Sequence, residues 1–188
     1  IIPIFYSIED RNKVLNKAKG VRSKLKRAKL SVEIDDRPQY TPGWKFNEWE
    51  MKGVPLRIEI GPRDVQNNQV TVARRDTGEK VVVKRSKVVE EVKRELEEMQ
   101  KRLFEKAKRS VEKRTKVVKT LDKLVKEIEK GNWVVAPYCG SEKCEEKIKE
   151  ESGASPRVIP FEKEKAEGEK CVVCGKQAKY WVYWARAY

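Results

Sequence analysis

"QVTVARRDTGEKVVVK", Gln69 to Lys84, is the stretch of this 188-residue chain that decides the fold. Two valine-rich runs flank "RDTG", and the residues from Asp76 to Gly78 are a turn signal between two strands. Upstream, "PLRIEI" from Pro55 to Ile60 alternates apolar and polar side chains. The two stretches predict neighbouring strands of one sheet with one buried face.

The segments before these strands add a helix and further strands. Ile1 to Tyr6 has strand composition, and apolar residues then recur at helical spacing, namely Val14, Ala18, Val21, Leu25 and Ala28. The other face of that helix carries Lys13, Lys17, Lys24 and Arg27. These cations either contact phosphate or, as on most helices, are only solvated. Leu30, Val32 and Ile34 alternate as a further strand, so we expect a mixed sheet with helices against it.

From Ser86 onward the apolar spacing is that of helices. One stripe runs from Val88 to Val111 and a second from Val118 to Ile128, ending near Gly131 before the strand-like "WVVAPY". We predict a first domain over residues 1–85, linker helices over 86–131 and a second domain over 132–188. A free-standing coiled coil is the alternative, although the stripe departs from a strict heptad.

The charge of the chain indicates a polyanionic partner. Lys and Arg number 44 against 30 Asp and Glu, a net charge of +14, which suits nucleic acid or an acidic membrane but also a heat-adapted charged surface. Histidine is absent, which excludes imidazole-dependent catalysis. Neither a membrane span nor a signal peptide is visible, so we expect a cytoplasmic protein with no membrane partner. A strand that begins at Ile1 suggests a piece of a longer chain.

The four cysteines form two close pairs, which indicate a metal site. They are Cys139, Cys144, Cys171 and Cys174, and a glycine follows the first and the last of them. Each pair can occupy two corners of a tetrahedron, as structural zinc requires. Two disulfides, four inert thiols and a redox role for the second pair are the alternatives, which the expected compartment and the pairing disfavour. Four sulfur ligands would leave no open position, so the zinc would be structural.

A polar and aromatic segment supplies candidate nucleic-acid contacts. "GWKFNEWEMKGVP", Gly43 to Pro55, precedes the first alternating strand. Unpaired bases are read by stacking and by hydrogen bonds to their edges, and a guanine edge needs both an acceptor and a donor. That mixture comes from Glu50, Arg57, Arg63 and Asp64, beside Trp44, Lys45, Phe46 and Trp49. The alternative is a structural helix turn, which we favour for Trp49.

The motifs of the chain, taken together and in order, give a specific resemblance to a known family. "DDRPQYTPGWKFNEWEMKGVPLRIEIGPRD", "VARRDTGEK", the cysteine pairs and the closing "YWARAY" resemble the carboxyl-terminal half of a prolyl-tRNA synthetase of the archaeal and eukaryotic type. The resemblance covers nearly the whole chain. It implies a class II anticodon-binding α/β domain, a mixed sheet flanked by helices, followed by a small α/β zinc-binding domain.

The resemblance also implies residue roles and partners. Glu50, Arg57, Arg63 and Asp64 would lie near the two guanines of the proline anticodon, with weaker assignments to Arg74, Arg75 and Lys80. Tyr188 would provide a terminal carboxylate that folds toward the catalytic domain. No catalytic residue is expected in this chain, because ATP, Mg²⁺ and proline would bind to a catalytic domain that these 188 residues lack. The expected partners are tRNA(Pro), that catalytic domain and a second copy of the whole protein.

Two functions are therefore open. The first is an anticodon-recognition and zinc module of a proline–tRNA ligase, inactive by itself. The second is a free-standing RNA-binding or scaffold protein of the same architecture. An independent enzyme is disfavoured, because the sequence has neither a histidine nor a metal with an open position.

Overall fold

The structure is a computed structural model that describes residues 1–163 and 165–187. The chain divides into two compact units, Ile1–Glu105 and Lys106–Tyr188. Each unit contains a mixed sheet and helices, which confirms the predicted α/β class. Within the described residues, no helix is long and apolar enough to cross a membrane.

The first unit is built around a sheet of four strands in the part of the chain that the structure describes. The strands are β1 (Ile2–Pro3), β2 (Leu56–Ile60), β3 (Gln69–Arg74) and β4 (Lys80–Lys84), in the order β1-β2-β3-β4. The helices are α1 (Ile8–Arg27), α2 (Pro42–Met51), α3 (Pro62–Gln66) and α4 (Val88–Arg114), of which the residues up to Glu105 belong to this unit. β1 is parallel to β2, whereas β2, β3 and β4 pair in antiparallel fashion. The hairpin predicted over Gln69 to Lys84 is therefore confirmed.

Alternation along β2 assigns its side chains to two faces of the sheet. Ile58 and Ile60 are buried with valines of β3 and β4, beneath α1 and the first turns of α4. Because successive strand residues point to opposite faces, Arg57 and Glu59 lie on the other face. One face of this sheet thus forms the core, and the other presents charged groups.

Local signals explain where α2 begins and ends. The Thr41 hydroxyl accepts a hydrogen bond from the Trp44 backbone N–H at 3.3 Å, and Pro42 occupies the first turn, where its missing N–H costs nothing. At the other end Gly53 adopts a left-handed conformation with φ of 78°, which glycine tolerates best. The sequence "TPGW" therefore sets the start of the helix that carries the predicted aromatic contacts.

The strand predicted over residues 30–34 is wrong. This segment follows Lys29, which has a φ of 61°, and runs as irregular backbone. Leu30, Val32 and Ile34 still pack partly against the core, which explains the alternation. Two hydrogen bonds join the segment to the sheet edge at Ile1: the Ile1 ammonium donates to the Glu33 carbonyl at 2.7 Å, and the Asp35 N–H donates to the Ile1 carbonyl at 3.0 Å. Burial alone thus produced a strand-like pattern without a ladder of hydrogen bonds.

After the last residues of α4, the second unit contains four strands and two further α-helices in its described residues. They are β5 (Thr115–Val117), α5 (Leu121–Glu129), β6 (Trp133–Tyr138), α6 (Glu142–Ser152), β7 (Ala154–Val158) and β8 (Tyr180–Arg186). The strand order is β5-β6-β8-β7, with β5 parallel to β6 and the other pairs antiparallel. Trp184 lies at the centre of the core, edge-on to Tyr138 at 5.3 Å between ring centroids.

The predicted linker over residues 86–131 falls on α4, β5 and α5. Leu124 and Ile128 of α5 are fully buried in the core of the second unit, against Val134 and Ile148. α5 is therefore an integral helix of that unit. The boundaries at residues 85 and 131 remain a prediction.

Candidate nucleic-acid interface and metal centre

A cluster of charged groups around one aromatic ring occupies the open face of the first sheet. The guanidinium carbon of Arg57 lies 4.0 Å from the centroid of the Phe46 ring, and the Lys80 ammonium lies 5.4 Å from it. Arg57 donates from Nε to Glu59 at 3.0 Å and from Nη1 to Glu50. Lys80 also donates to Glu59, at 2.9 Å. We call these five residues the sheet-face cluster.

Exposure divides the sheet-face cluster into an inner and an outer layer. The side chains of Arg57 and Glu59 are about nine-tenths buried, whereas Glu50 and Lys80 are about half exposed. Glu59 holds the arginine in place from below, and Glu50 supplies an acceptor at the surface. A donor and an acceptor thus stand side by side at the solvent boundary, which is the pair that a guanine edge requires.

The depression beside this cluster is small and partly apolar. It is lined by Trp49, Glu50, Val54, Pro55, Arg57, Ala73 and Arg75. Arg75 is exposed, and its backbone N–H donates to the Pro55 carbonyl at 3.0 Å. The structure therefore brings Arg75 together with Glu50 and Arg57, as the predicted set requires.

An aromatic stack stands at the start of α2. The rings of Tyr40 and Trp44 are nearly parallel, at 8°, with centroids 3.8 Å apart. The Arg37 guanidinium lies 4.8 Å from the Tyr40 centroid and 5.3 Å from that of Trp44. Arg37 is in turn bonded to Asp35 and Glu48. Trp44, predicted as an RNA contact, is 43% exposed, so one member of the stack faces solvent.

Sequence reasoning missed Arg37 and Tyr40 in this stack. Both lie in "DDRPQYTPGW", where the two prolines indicate a break in regular structure. The available signal was the spacing of Arg37, Tyr40 and Trp44, which recur at three and four residues within a proline-rich turn. Such a turn can place side chains from these positions on one side.

Asp35 anchors α2 and accounts for two side chains that were candidate contacts. Its buried carboxylate accepts from Trp49 Nε1 at 2.9 Å, and its carbonyl accepts from Lys45 Nζ at 3.2 Å. Lys45 is only 4% exposed. It therefore does not belong to the surface that we predicted it to join, because its ammonium is committed to Asp35. The hydrogen bonds from Arg37, opposed by burial, hold the pKa of Asp35 well below its usual range.

Arg74 likewise has a structural partner. It donates from Nε and Nη2 to the two carboxylate oxygens of Glu95 in α4, at 2.5 and 2.7 Å. Glu95 is 2% exposed, and the hydrogen bond from Arg74 lowers its pKa. Arg74 thus ties β3 to α4, and its role toward RNA remains a prediction.

Arg63 and Asp64 lie on α3, which follows the last residue of β2, whereas Arg57 lies near the first residue of that strand. The Asp64 carboxylate accepts from the Gly61 backbone N–H at 2.9 Å and from Gln69 Nε2 at 3.2 Å. Asp64 therefore caps its own helix. Arg63 is exposed. These two residues do not share a contact with the sheet-face cluster, and their role toward RNA remains a prediction.

Four thiols converge in the second unit. Cys139 follows β6, Cys144 lies in α6, and Cys171 and Cys174 lie in the turn before β8. Their sulfur atoms all lie within 4.8 Å of one another. Gly140 and Gly175 have φ of 87° and 69°, so the backbone turns around the sulfurs through left-handed glycines. The predicted grouping of the four cysteines is thus observed, and together they could hold a metal ion.

Distances and protonation fit a four-sulfur site. Sulfurs placed about 2.3 Å from a central ion at tetrahedral angles lie about 3.8 Å apart. Cys139 Sγ is 3.7 Å from Cys144 Sγ and 3.8 Å from Cys174 Sγ, far beyond a disulfide. Burial raises the pKa of Cys139 and Cys144, whereas a hydrogen bond from the Lys176 backbone lowers that of Cys174 to about 7. A bound cation would favour the thiolate form of Cys139 and Cys144, whose pKa is raised in its absence.

Tyr188, the predicted terminal carboxylate, lies outside the described residues. The described chain ends at Ala187, directly after β8. The role assigned to Tyr188 by the resemblance therefore remains a prediction.

Comparison with known families assigns both units. Residues 1–95 match the family described as "Anticodon binding domain", and residues 121–188 match "Prolyl-tRNA synthetase, C-terminal". The chain belongs to the prolyl-tRNA synthetase family, as its anticodon-binding and C-terminal domains. The predicted family and fold are thereby confirmed.

Individual relatives agree with this assignment. The chain is 48% identical to a proline–tRNA ligase of Alkaliphilus oremlandii, over 93% of this chain and 36% of that protein. It is 44% and 43% identical to those of Oceanobacillus iheyensis and Clostridium novyi, over 100% of this chain and 38% of each relative. The chain therefore spans little more than a third of these curated relatives. They are bacterial proteins, whereas the resemblance named the archaeal and eukaryotic type.

Proposed function

We propose that this chain reads the anticodon of tRNA(Pro) through the sheet-face cluster. The observation that carries the proposal is the pairing of Arg57 with Glu50 above the Phe46 ring, at the solvent boundary of an anticodon-binding domain. In the free protein these two groups satisfy each other. Guanine can replace that pairing, because its edge offers donors to a carboxylate and acceptors to a guanidinium.

The sheet-face cluster is preorganised for guanine to replace the Arg57–Glu50 pairing. Glu59 and the Phe46 ring hold the Arg57 guanidinium in one orientation, so little side-chain entropy is left to lose on binding. Arg75, in the depression beside it, adds a cation for RNA phosphate or a second base. The Tyr40–Trp44 stack offers an aromatic surface for an unpaired base, as single-stranded RNA requires.

The second unit, in this proposal, holds a structural zinc ion on Cys139, Cys144, Cys171 and Cys174. The support is the four-sulfur donor set and its spacing, which match tetrahedral zinc thiolate geometry. Zinc bound there would supply no catalysis, because four sulfur ligands leave no position for water. The thiolates would join β6, α6 and the turn before β8.

For the whole protein we propose ATP-dependent attachment of proline to tRNA; the relatives are named proline–tRNA ligases, which supports the attachment of proline to tRNA. ATP, Mg²⁺ and proline would bind to a catalytic domain outside this chain, which supplies anticodon recognition and no catalytic residue. A cytoplasmic homodimer is the expected setting of the whole protein. The finding that no described helix can span a membrane is consistent with it.

The proposal is tested by binding of a labelled proline anticodon stem-loop, measured by fluorescence anisotropy at fixed salt. A second stem-loop with both anticodon guanines replaced is the comparison. Arg57→Ala should weaken binding to the first RNA by about 1 to 3 kcal/mol and leave binding to the second almost unchanged.

Arg109→Ala is the matched control for Arg57→Ala. It removes the same charge from an exposed position on α4, so it should not change the preference for guanine. Equal losses on both RNAs for Arg57→Ala, or no guanine preference in the unaltered chain, would contradict anticodon reading.

A further inference from the structure

We propose that Lys17, Lys24 and Arg85 form a second RNA contact, a phosphate-binding site that serves the tRNA whose anticodon the sheet-face cluster reads. The inference rests on the proposed function for the identity of the RNA. Its ligand is the phosphodiester backbone, so the contact would add affinity without sequence preference.

The three cations are brought together from two distant parts of the chain. Lys17 Nζ donates to the Asn68 side-chain oxygen at 2.7 Å, and Lys24 Nζ donates to the Arg85 carbonyl at 3.4 Å. Asn68 and Arg85 are themselves joined, because the Arg85 N–H donates to the Asn68 carbonyl at 3.0 Å. Lys17 and Lys24 of α1 thus bond to Asn68 and Arg85, which are paired with each other where β3 begins and β4 ends.

All the hydrogen bonds in this group go to neutral oxygens. Among the described residues, neither lysine nor Arg85 forms an ion pair, and Asp64, the acid nearest to Asn68 in sequence, is occupied by Gly61 and Gln69. Burial, together with the charges of Arg85 and Lys24, lowers the pKa of Lys17. Like charges held together in this way repel one another, and a bound anion would relieve that repulsion.

The site differs from an ordinary lysine-rich helix face. Lys13 on the same helix is paired with Glu9 at 3.2 Å, and Lys19 and Lys26 are exposed. Lys17 and Lys24 are partly buried one behind the other on a single flank of α1. Arg85 adds a guanidinium from the neighbouring turn, which suits the oxygen pair of a phosphate.

The position is also separate from the base-reading surface. Arg57 and Lys80 lie at the first ends of β2 and β4, and their side chains face away from α1. Arg85 follows the last residue of β4, where its carbonyl accepts a hydrogen bond from Lys24 of α1. A nucleic acid touching both places would need more than one nucleotide, so the site extends the footprint.

The test compares two triple variants of equal net charge in the full 188-residue chain. The site variant is K17Q/K24Q/R85Q, and the control variant is K13Q/K19Q/K26Q, which removes three cations from exposed positions of α1. Affinity for a labelled tRNA(Pro) transcript and for the same transcript with both anticodon guanines replaced is measured from about 50 to 200 mM salt. Circular dichroism checks that both variants fold.

We expect the site variant to bind both transcripts about tenfold more weakly, with the slope of log affinity against log salt smaller by about 1 to 2. The control variant should change the slope by much less. Inorganic phosphate, added at constant ionic strength, should compete with RNA in the unaltered chain and not in the site variant.

Three results would overturn the site. These are equal losses of RNA affinity for the two variants, an unchanged slope of log affinity against log salt in the site variant, and no salt-dependent RNA binding by the unaltered chain. Failure of anticodon reading is distinguishable, because it removes the preference between the two transcripts while leaving the contrast between the variants intact.

Discussion

Asp35→Asn offers the sharpest test of how α2 and the Tyr40–Trp44 stack are held in place. The carboxylate accepts two hydrogen bonds from the Arg37 side chain, at 2.9 and 2.8 Å, and one from Trp49 Nε1, and lies 3.8 Å from Lys45 Nζ. An amide would remove the charge and turn an N–H₂ group toward these donors. The change should therefore loosen α2 and the Tyr40–Trp44 stack together.

The magnitude follows from which partners can return to water. Removing one member of a buried ion pair costs about 3 to 5 kcal/mol, because the other charge stays buried and unpaired. Arg37 is partly exposed and can rehydrate, whereas Lys45 is buried and cannot. We therefore expect a loss near the lower end, about 3 kcal/mol.

The neighbouring Asp36 provides a matched control. It is exposed, so Asp36→Asn should change stability by less than about 0.5 kcal/mol. Native-state hydrogen exchange of the α2 amides, read by mass spectrometry, reports this region without interference from the second unit. Equal exchange rates in the two variants would refute the anchoring role of Asp35.

The same contact predicts a dependence on pH. Because the folded-state pKa of Asp35 is lowered, its stabilisation is fully present above its unfolded pKa of about 3.9 and is lost as pH falls toward the folded value. The stability difference between the unaltered chain and Asp35→Asn should therefore be constant from pH 7 to about 5 and shrink below about pH 4.

Two further predictions concern the other buried polar centres. Metal analysis should find one zinc ion per chain. A chelator or Cys144→Ser should unfold the second unit while the first unit keeps its RNA affinity. A metal-free protein of undiminished stability would contradict the zinc site. Glu95→Gln should destabilise the first unit by about 3 kcal/mol, because it leaves Arg74 without its buried partner. The control Glu97→Gln, at an exposed position, should destabilise it by less than about 0.5 kcal/mol. Hydrogen exchange of the α4 amides measures both losses. Similar losses for both would refute the Arg74 tie.

Elements that follow from the local spacing of apolar residues or of cysteines could be predicted from the sequence. The hairpin over Gln69 to Lys84 and α1 follow from alternation and helical spacing, which burial on one face imposes. The grouping of Cys139, Cys144, Cys171 and Cys174 follows from their pairing in the sequence, because few other arrangements use two close cysteine pairs. These signals are local, so a single sequence carries them.

The choice of partner for each charged residue could not be predicted in this way. Lys45 and Arg74 have the same composition signal as Lys80 and Arg75, yet Lys45 is buried against Asp35 and Arg74 is bonded to the buried Glu95, whereas Lys80 is half exposed and Arg75 is exposed. Glu95 lies 21 positions from Arg74, and only the packing of α4 on the sheet brings them together. The strand expected at residues 30–34 failed for a related reason, since apolar alternation reports burial but not a hydrogen-bonded neighbour.

The alternation of β2 has a consequence for how this domain can change. Ile58 and Ile60 maintain the core from one side of the strand, and Arg57 and Glu59 occupy the other. Under the proposed function, substitutions on the outer face that alter base preference need not touch the apolar core on the other face. On the outer face, the half-exposed Glu50 and Lys80 can therefore change or be redesigned with little effect on the architecture, whereas the buried pair of Arg57 and Glu59 would have to change together.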